Sequence, residues 1–386
     1  MSAYASRMER LRALFEEAKI DGMLISQPES RFYLSGYTGH DLPPRDSAGY
    51  LMIGKTGAWL LTDPRTSEQA ENEAHDYTVV AYNVNARQSQ RLIEGVQELG
   101  ITKLGFESIH LPHAFWVAFS DAVGEKGAEG KDSPIPGPGV EMVPLKDIVD
   151  KLRITKDGQE LTDLQAAIDV LDDCFMHLAK HELRVGRTEK EIALAVEQYL
   201  QSRGSSTSFP SIVASGPNSS MPHAVPTDRQ IQEGEPITID IGAMVNGYCS
   251  DMTRTVCIGE PSAKLREIHQ LVLTAQETAE RGIKNGMSGK DADALARDYL
   301  VEMGYGDAFT HGLGHGIGLE VHEPPSLSLR GSETPLADGM VFSVEPGIYL
   351  PGWGGVRIED LVVMDGEGVR VLCRSPKALA LEEVAR

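Results

Sequence analysis

The sequence predicts two domains: an N-terminal α/β domain over residues 1–150 and a C-terminal α+β domain over residues 151–386 that contains an internal repeat. The length of 386 residues exceeds the size at which one hydrophobic core usually stops growing. Short apolar runs dominate the first part, whereas long helical patterns alternate with strand-like runs in the second. The repeat predicts two halves related by a pseudo-twofold axis, with helices packed on one curved, mostly antiparallel sheet.

The N-terminal domain is predicted from one amphipathic helix followed by strand-like runs. The helix covers about Ser6 to Ala18, and the runs are GMLIS, YLMIG, AWLLT and YTVVAY. A stretch rich in Gly and Pro, Gly124 to Gly139, is predicted to be a flexible surface loop without chemistry. The boundary is placed near Val149 to Lys156, because a long helical pattern starts there.

The repeat in the C-terminal domain is a match without gaps between residues 183–204 and residues 283–304. Identical residues meet at Gly186/Gly286, Lys190/Lys290, Tyr199/Tyr299, Leu200/Leu300 and Gly204/Gly304. Thr188 and Ser288 each begin a helix-capping pattern, and the glycines before them are expected to end the preceding helices. Further along, EGEPITIDIG aligns on DGMVFSVEPG, which places Asp240 on Glu345.

A β-hairpin is predicted at Asn246-Gly247, because strand-like runs flank this pair on both sides. With a two-residue turn, residue 240 faces residue 253. Asp251 then lies on the same face of the sheet as Asp240, as its diagonal neighbour. Two carboxylates held so close would repel each other, and a divalent cation between them removes the conflict.

The second half of the repeat adds Glu345 and Glu359, in two strand-like pieces joined by a turn rich in glycine. Three histidines, His311, His315 and His322, crowd into the segment HGLGHGIGLEVHEPP, whose glycines argue against a helix. One of them is expected to coordinate metal and the others to face a substrate. One imidazole with four carboxylates favours a pair of divalent ions such as Mn²⁺, Co²⁺ or Zn²⁺ that share a bridging water, which suits amide hydrolysis.

The bulk composition argues against two classes of partner. The formal net charge of −21 disfavours nucleic acid and anionic membranes, since both need a basic surface. No apolar stretch approaches the roughly 18 residues of a membrane span, and the N-terminus lacks a signal-peptide pattern. The four cysteines form no CxxC pair and are expected to be reduced, which indicates a cytoplasmic protein.

These motifs resemble the "pita-bread" metallopeptidases, which include methionine aminopeptidase, prolidase and Xaa-Pro aminopeptidase. The resemblance runs through IDIGAMVNGYCSDMTRT, HGLGHGIGLEVHE, SVEPGIY and GGVRIED, and covers about the last 230 residues. It implies that Glu345 also shuttles a proton and that His223 and His322 bind substrate and stabilise the tetrahedral intermediate. His311 and Arg357 are implied to orient substrate and neighbouring ligands. The implied dimetal ligands are Asp240, Asp251, His315, Glu345 and Glu359.

The N-terminal domain is similar to the creatinase-type domain of the Xaa-Pro branch, in which this domain assists dimerisation. A homodimer is therefore implied, together with a peptide substrate that has proline at its second position and is cleaved before the proline by a metal-bridging hydroxide. Mn²⁺ is the first choice of metal. Some prolidases carry an arginine shortly after the HE of this motif, where this chain has Ser326, which favours an aminopeptidase over a strict dipeptidase, though Arg330 or Arg357 could supply the charge.

Two other functions are compatible with the same scaffold. The first is a small-molecule C–N hydrolase, creatinase-like or acting on cyclic amidines; relatives of this kind that work without metal generally depart from the five-ligand set, which this chain keeps. A peptide-binding relative without catalysis would have no need of all five ligands and both histidines. The loss of hydrolysis on metal removal separates the peptidase from the first alternative, and the absence of bound metal would favour the second.

Overall fold

The computed structural model describes residues 2–41, 47–83, 87–124, 139–331 and 334–385. Most of the loop predicted over residues 124–139 lies outside the described residues. The chain forms two compact units, residues 1–153 and residues 154–386. Within the described residues, no helix is both long enough and apolar enough to span a bilayer.

The first unit is an α/β domain, as predicted, built on a mixed six-stranded sheet. Its helices are α1 (Ala3–Ala13), α2 (Phe15–Ala18), α3 (Pro28–Ser35), α4 (Ser67–Glu73), α5 (Gln88–Glu98), α6 (His113–Gly124) and α7 (Asp150–Arg153). Its strands are β1 (Gly22–Ile25), β2 (Gly49–Gly54), β3 (Ala58–Thr62), β4 (Thr78–Ala81), β5 (Lys103–Glu107) and β6 (Glu141–Leu145). The strand order is β4-β3-β2-β1-β5-β6. β2 is antiparallel to both β1 and β3, whereas the pairs β3 with β4, β1 with β5 and β5 with β6 are parallel.

Four helices of the second unit form two pairs of matching length, and a short helix follows near the end of the chain. They are α8 (Gly158–His177), continued by a π-helical turn (Leu178–Glu182), α9 (Glu189–Ser202), α10 (Ala263–Gly282), α11 (Gly289–Glu302) and α12 (Leu381–Val384). Thr188 and Ser288 cap α9 and α11, which confirms both predicted helix starts. Gly186 and Gly286 adopt φ of 87° and 83° in the turns between paired helices, a few residues beyond the helix ends they were expected to form.

The strands of the second unit are antiparallel throughout the described residues. In the first half they are β7 (Ser206–Thr207), β8 (Ile212–Ser215), β9 (Ile237–Ile241), β10 (Ala243–Val245), β11 (Tyr248–Cys249) and β12 (Met252–Val256). In the second half they are β13 (Gly314–Gly316), β14 (Glu323–Leu327), β15 (Val341–Val344), β16 (Gly347–Leu350), β17 (Gly354–Arg357), β18 (Asp360–Asp365) and β19 (Gly368–Val371). Hydrogen bonding divides them into four sheets, ordered β11-β10-β7, β12-β9-β8, β14-β13-β15-β18-β19 and β16-β17.

The internal repeat is visible in the order of the elements. Each half has two helices, then a long strand, a short hairpin and a second long strand that pairs with the first: β9 with β12, and β15 with β18. Each half also buries its own apolar cluster. Leu171, Ile192 and Ile239 belong to the first cluster, and Leu265, Ala292 and Phe342 belong to the second. Two α+β halves with antiparallel strands are the predicted C-terminal architecture, and the structure confirms it. The single curved sheet of the prediction is divided by its hydrogen bonding into the four sheets given above.

Candidate metal centre

A cavity of about 700 Å³ lies in the second unit, and all nine residues predicted to form a site line it. They come from both halves of the repeat and are Asp240, Asp251, His223, His311, His315, His322, Glu345, Arg357 and Glu359. The cavity therefore brings together residues that are separated by as many as 136 positions along the chain.

The hairpin of the first half has the predicted register. Asn246 and Gly247 both adopt positive φ, 52° and 84°, as a type I′ turn requires, and Val245 pairs with Tyr248. Asp240 in β9 consequently faces Thr253 in β12. Asp251 immediately precedes β12 and lies two residues from that partner, so both carboxylates reach the cavity from the same face.

The second half places its two glutamates at the junctions between strands. Glu345 follows the last residue of β15, and Glu359 precedes the first residue of β18. The backbone amide of Glu359 donates to the Thr253 carbonyl at 3.0 Å, and this bond joins the second long strands of the two halves. Four carboxylates thus converge where the two strand–hairpin–strand units meet.

His315 lies in β13 with one ring nitrogen fixed and the other facing the carboxylates. Its Nδ1 is 3.1 Å from the Gly316 carbonyl, which can only accept, so Nδ1 carries the hydrogen and Nε2 offers a lone pair. Nε2 is 3.3 Å from Glu345 Oε1 and 3.8 Å from Asp251 Oδ2. Close packing keeps β13 in place, since a Cβ at Gly314 would overlap the Ser343 carbonyl oxygen.

The donor set fits divalent cations. Ligand atoms of Asp251, His315 and Glu359 all lie within 4.8 Å of one another. Three buried carboxylate oxygens here accept no hydrogen bond from the described residues: Asp240 Oδ1, Asp251 Oδ1 and Glu359 Oε1. A buried carboxylate oxygen without a donor is costly, and a cation satisfies it. Hard oxygen ligands with one imidazole suit Mn²⁺, Co²⁺ or Zn²⁺.

Burial and mutual repulsion raise the pKa of three of the carboxyl groups. Desolvation, followed by the charges of the neighbouring carboxylates, holds the pKa of Asp251 and of Glu359 well above the ordinary value. Desolvation likewise raises the pKa of Glu345. Burial lowers the pKa of His315, so its ring is neutral at neutral pH. Protons and a bound cation therefore compete for the same oxygens.

Arg357 and Tyr349 form a hydrogen-bonded chain beside the carboxylates. Arg357 donates to Asp240 Oδ2 at 2.6 Å and to the Tyr349 hydroxyl at 2.8 Å. That hydroxyl lies 2.8 Å from His311 Nε2, and His311 Nδ1 lies 2.7 Å from the Gly312 carbonyl. Both ring nitrogens of His311 and the guanidinium of Arg357 therefore have hydrogen-bond partners within the protein. Through these bonds Arg357 orients the Asp240 carboxylate, and Tyr349 links Arg357 to His311.

Three supporting residues were missed by the sequence interpretation. Tyr349 is buried, and desolvation raises its pKa to about 12. Thr253 donates to Glu359 Oε2 at 2.7 Å and accepts from Arg357 Nε at 3.0 Å. Ser343 accepts from the His315 amide at 3.0 Å and donates to Glu345 Oε1 at 3.2 Å. The hairpin register could have indicated Thr253, since it faces Asp240.

The rest of the cavity wall is mostly apolar, with three serine hydroxyls. The apolar residues are Phe209, Pro210, Ile212, Pro222, Ala224, Val225, Pro226 and Val321. Ser211, Ser326 and Ser328 contribute the hydroxyls. The ring of His322 lies beside that of His315, with centroids 4.1 Å apart. Burial lowers the pKa of His322, and the nearby His315 and His223 lower it further. Both of the histidines that match in the repeat therefore line the cavity.

Metal binding is expected to stabilise the protein more at pH 7.5 than at pH 5.5. Without metal, the raised carboxyl pKa values mean that the folded state keeps protons that the unfolded chain releases above about pH 4. The free energy of unfolding of the metal-free protein then falls as pH rises from about 4 to the raised pKa values of the folded state. A bound cation offsets this loss, because it stabilises the ionised carboxylates. Thermal midpoints with excess Mn²⁺ and with chelator, compared at both pH values, measure this. A shift that is equal, or larger at pH 5.5, contradicts it.

Comparison with known proteins shows the family to which the chain belongs. Residues 162–365 match the model of metallopeptidase family M24, and residues 7–155 match that of the creatinase/prolidase N-terminal domain. An uncharacterized peptidase, YqhT of Bacillus subtilis (strain 168), is 40% identical, and the match covers 97% of this chain and 99% of the relative.

Two solved structures resemble the chain along nearly its whole length. The Xaa-Pro dipeptidase from Bacillus anthracis has a TM-score of 0.88 at 41% identity and covers 98% of this chain and 99% of its own. The X-Pro aminopeptidase from Thermotoga maritima MSB8 has a TM-score of 0.83 at 35% identity and covers 97% of this chain and 99% of its own. The predicted resemblance is confirmed: the chain belongs to metallopeptidase family M24 and carries a creatinase/prolidase-type N-terminal domain.

Proposed function

We propose that this protein hydrolyses the peptide bond before proline in peptides of the Xaa-Pro type, with two divalent metal ions as cofactors. The observation that carries the proposal is the group of three buried carboxylate oxygens without a hydrogen-bond donor, two of which belong to residues that cluster with His315. They lie in a cavity that also contains His223 and His322. The similar dipeptidase and aminopeptidase both have names that specify such a bond.

The proposed metal ligands are Asp240, Asp251, His315, Glu345 and Glu359. When bound, the two ions would lower the pKa of a water shared between them and polarise the scissile carbonyl. Thr253, Ser343 and Arg357 fix the ligand carboxylates through the hydrogen bonds described above. Glu345 lines the same cavity and is proposed to accept a proton and later give it to the leaving nitrogen.

His322 and His223 are proposed to hold the substrate. Burial lowers the pKa of His322, so its neutral ring can donate one hydrogen bond to a peptide carbonyl. The apolar wall, including Phe209 and Pro222, excludes water and packs well against a proline ring. Such donors act in a site of low dielectric, where they stabilise developing negative charge more strongly than in water.

An aminopeptidase that accepts longer peptides is preferred over a strict dipeptidase. A dipeptide needs a cation for its free carboxylate. Among the described residues that line the cavity, Arg357 is the one lysine or arginine, and its guanidinium already binds Asp240 and Tyr349. Ser326 and Ser328 offer neutral hydrogen-bonding groups, which suit a continuing peptide backbone.

A peptide panel tests both levels of the proposal. The purified protein, treated with chelator and reloaded with Mn²⁺, Co²⁺ or Zn²⁺, is assayed with a dipeptide, a tripeptide and a longer peptide, each with proline second. We expect cleavage before proline with metal and none with chelator, and a higher kcat/KM for the tripeptide than for the dipeptide. Cleavage of the dipeptide alone would reject the aminopeptidase assignment. No cleavage of any member would reject the peptidase and point to small-molecule C–N bonds.

Replacement of His322 by alanine is expected to lower turnover on the order of 10² to 10³-fold while metal content stays unchanged, since removal of one donor to a developing oxyanion has that effect. The ring lies against His315 but offers no ligand atom to the three-residue metal cluster. Steady-state kinetics and metal analysis on the same preparation provide the test. If metal content falls in step with activity, His322 is a ligand and its proposed substrate role is wrong.

Three further properties are proposed on the resemblance to the Xaa-Pro branch. Mn²⁺ is the metal to test first, because the ligand set is rich in carboxylates. A cytoplasmic location agrees with four cysteines that are all unpaired. A homodimer is the proposed assembly, and sedimentation equilibrium of the full chain distinguishes it from a monomer.

A further inference from the structure

We infer that Glu189 is a positioning residue for His223: its carboxylate clamps both ends of the loop that carries this histidine into the cavity. The inference rests on the proposed function, because it assigns His223 a role at the substrate. Glu189 lies in the first turn of α9, outside the cavity, and its side chain is fully buried. It therefore acts through the loop and does not touch the reacting atoms.

The two oxygens of Glu189 bind opposite ends of the loop. Oε1 accepts from the Ser215 amide at 2.7 Å and from the Ser215 hydroxyl at 2.8 Å. Oε2 accepts from the Thr227 amide at 3.0 Å and from the Thr227 hydroxyl at 2.6 Å. The Asn218 side-chain amide lies 3.1 Å from each oxygen and bridges them. One carboxylate thus binds both residues that flank an eleven-residue loop, Ser215 before it and Thr227 after it; the loop is residues 216–226.

A short series of backbone bonds extends the clamp to His223. The Asn218 carbonyl accepts from the Met221 amide at 3.1 Å, and the Met221 carbonyl accepts from the Ala224 amide at 3.1 Å. His223 lies inside this second bond. On the cavity side, Arg357 contacts the Pro222 carbonyl at 3.4 Å, at the long end of the hydrogen-bond range. Two other bonds also hold the loop, from the Gly216 amide to the Pro236 carbonyl and from the Gly355 amide to the Ser219 hydroxyl, each at 2.8 Å. Among these groups, Glu189 is the one that bonds to both flanks of the loop.

The internal repeat breaks at this position. The residue that matches Glu189 in the second half is Gly289, at the start of α11. A Cβ at Gly289 would overlap the Ser326 carbonyl oxygen, so α11 packs directly against β14 and leaves no room for a carboxylate. Fold symmetry does not require an acidic residue here. Glu189 is explained by the loop that it holds, and that loop supplies His223.

The clamp makes a prediction about rate. Glu189→Gln replaces one acceptor oxygen with an amide that repels the donors of one loop end, so the loop end is released and His223 loses its fixed position. Because small misplacements of a positioned group cost up to about 10²-fold in rate, we expect kcat/KM to fall on the order of 10 to 100-fold with metal content unchanged. Amides of residues 216–226 should exchange hydrogen faster, on the order of 10-fold, the factor that corresponds to one hydrogen bond to a charged group.

The test uses the full metal-loaded chain and a matched control. Glu191→Gln makes the same change two residues away in the same helix turn, where the side chain is exposed and bonds to Thr188. It should leave kcat/KM and the exchange of residues 216–226 unchanged. If Glu189→Gln does not fold, Thr227→Val removes one hydroxyl donor from the clamp at constant shape, and the same measurements apply.

A double variant separates positioning from general destabilisation. In a His223→Ala background, Glu189→Gln should reduce kcat/KM by less than about twofold, because coupled residues are not additive. The inference would be overturned if Glu189→Gln lowered kcat/KM by the same factor with and without His223. It would also be overturned if the amides of residues 216–226 exchanged in Glu189→Gln at the wild-type rate. Hydrogen exchange is measured without substrate, so it confirms or rejects the clamp whether or not the protein cleaves peptides. If the wild-type protein cleaves no Xaa-Pro peptide, that result rejects the proposed function and leaves the clamp to be decided by hydrogen exchange.

Discussion

Glu345→Ala is expected to abolish the proposed hydrolysis, with turnover at least about 10³-fold below wild type, while the chain stays folded. General acid–base groups alone contribute up to about 10⁴-fold, and this side chain is also a proposed metal ligand. The fold should tolerate the change, because desolvation raises the pKa of Glu345 and the ionised group is therefore unfavourable in the metal-free protein. Its carboxylate accepts a hydrogen bond from the Ser343 hydroxyl at 3.2 Å, at the long end of the usual range.

The measurement is turnover of a proline-second peptide by the metal-reloaded variant, with metal content and circular dichroism on the same sample. Glu302→Ala is the matched control, since Glu302 is an exposed glutamate at the end of α11. Near-wild-type turnover of Glu345→Ala would reject the assigned mechanism. A metal-free thermal midpoint several degrees below wild type would instead show that Glu345 stabilises the fold.

The carboxylate frame could be predicted from the sequence because its geometry is local. Asn246-Gly247 fixes a type I′ turn, the two-residue turn fixes the register, and the register places Asp240 opposite Thr253. The period of a strand then puts Asp251 on the same face. The repeat extended this reasoning to Glu345, which occupies the position of Asp240 at the end of the first long strand.

The choice among the histidines could not be made from spacing. His311 and His315 are only four residues apart, yet His311 Nε2 meets the Tyr349 hydroxyl and His315 Nε2 meets carboxylates. That difference depends on the backbone path of a glycine-rich segment. The sequence of this segment has no helical or strand periodicity from which the direction of each side chain could be predicted. The family resemblance supplied the choice of His315, and the structure brings this residue into the cluster with Asp251 and Glu359.

Buried supporting residues were hidden for a related reason. A glutamate in the first turn of a helix is normally explained by the helix dipole, so Glu189 gave no signal of its five-donor site. Tyr349 in β16 resembles any strand tyrosine until its hydroxyl is seen between Arg357 and His311. Partners brought together by tertiary structure cannot be inferred from residue type alone.

Lys156→Met is expected to destabilise the second unit by roughly 3–5 kcal/mol, the usual cost of removing one partner from a buried ion pair. Lys156 Nζ lies 2.9 Å from Glu323 Oε1, and both side chains are almost fully buried, at 1% and 2% exposure. Glu323 follows His322 directly and begins β14, and a Cβ at Gly318 would overlap its carboxylate. Loss of the cation should therefore also disturb His322 and lower turnover.

The double variant Lys156→Met/Glu323→Gln distinguishes charge from packing. It removes both charges and keeps similar volumes, and replacement of a whole buried pair is often close to neutral. We expect urea and thermal unfolding to show the double variant clearly more stable than Lys156→Met, with turnover recovered in parallel. If the double variant is as unstable as the single one, the methylene packing of Lys156 matters more than its charge. If stability recovers and turnover does not, the Glu323 carboxylate itself is needed to orient His322.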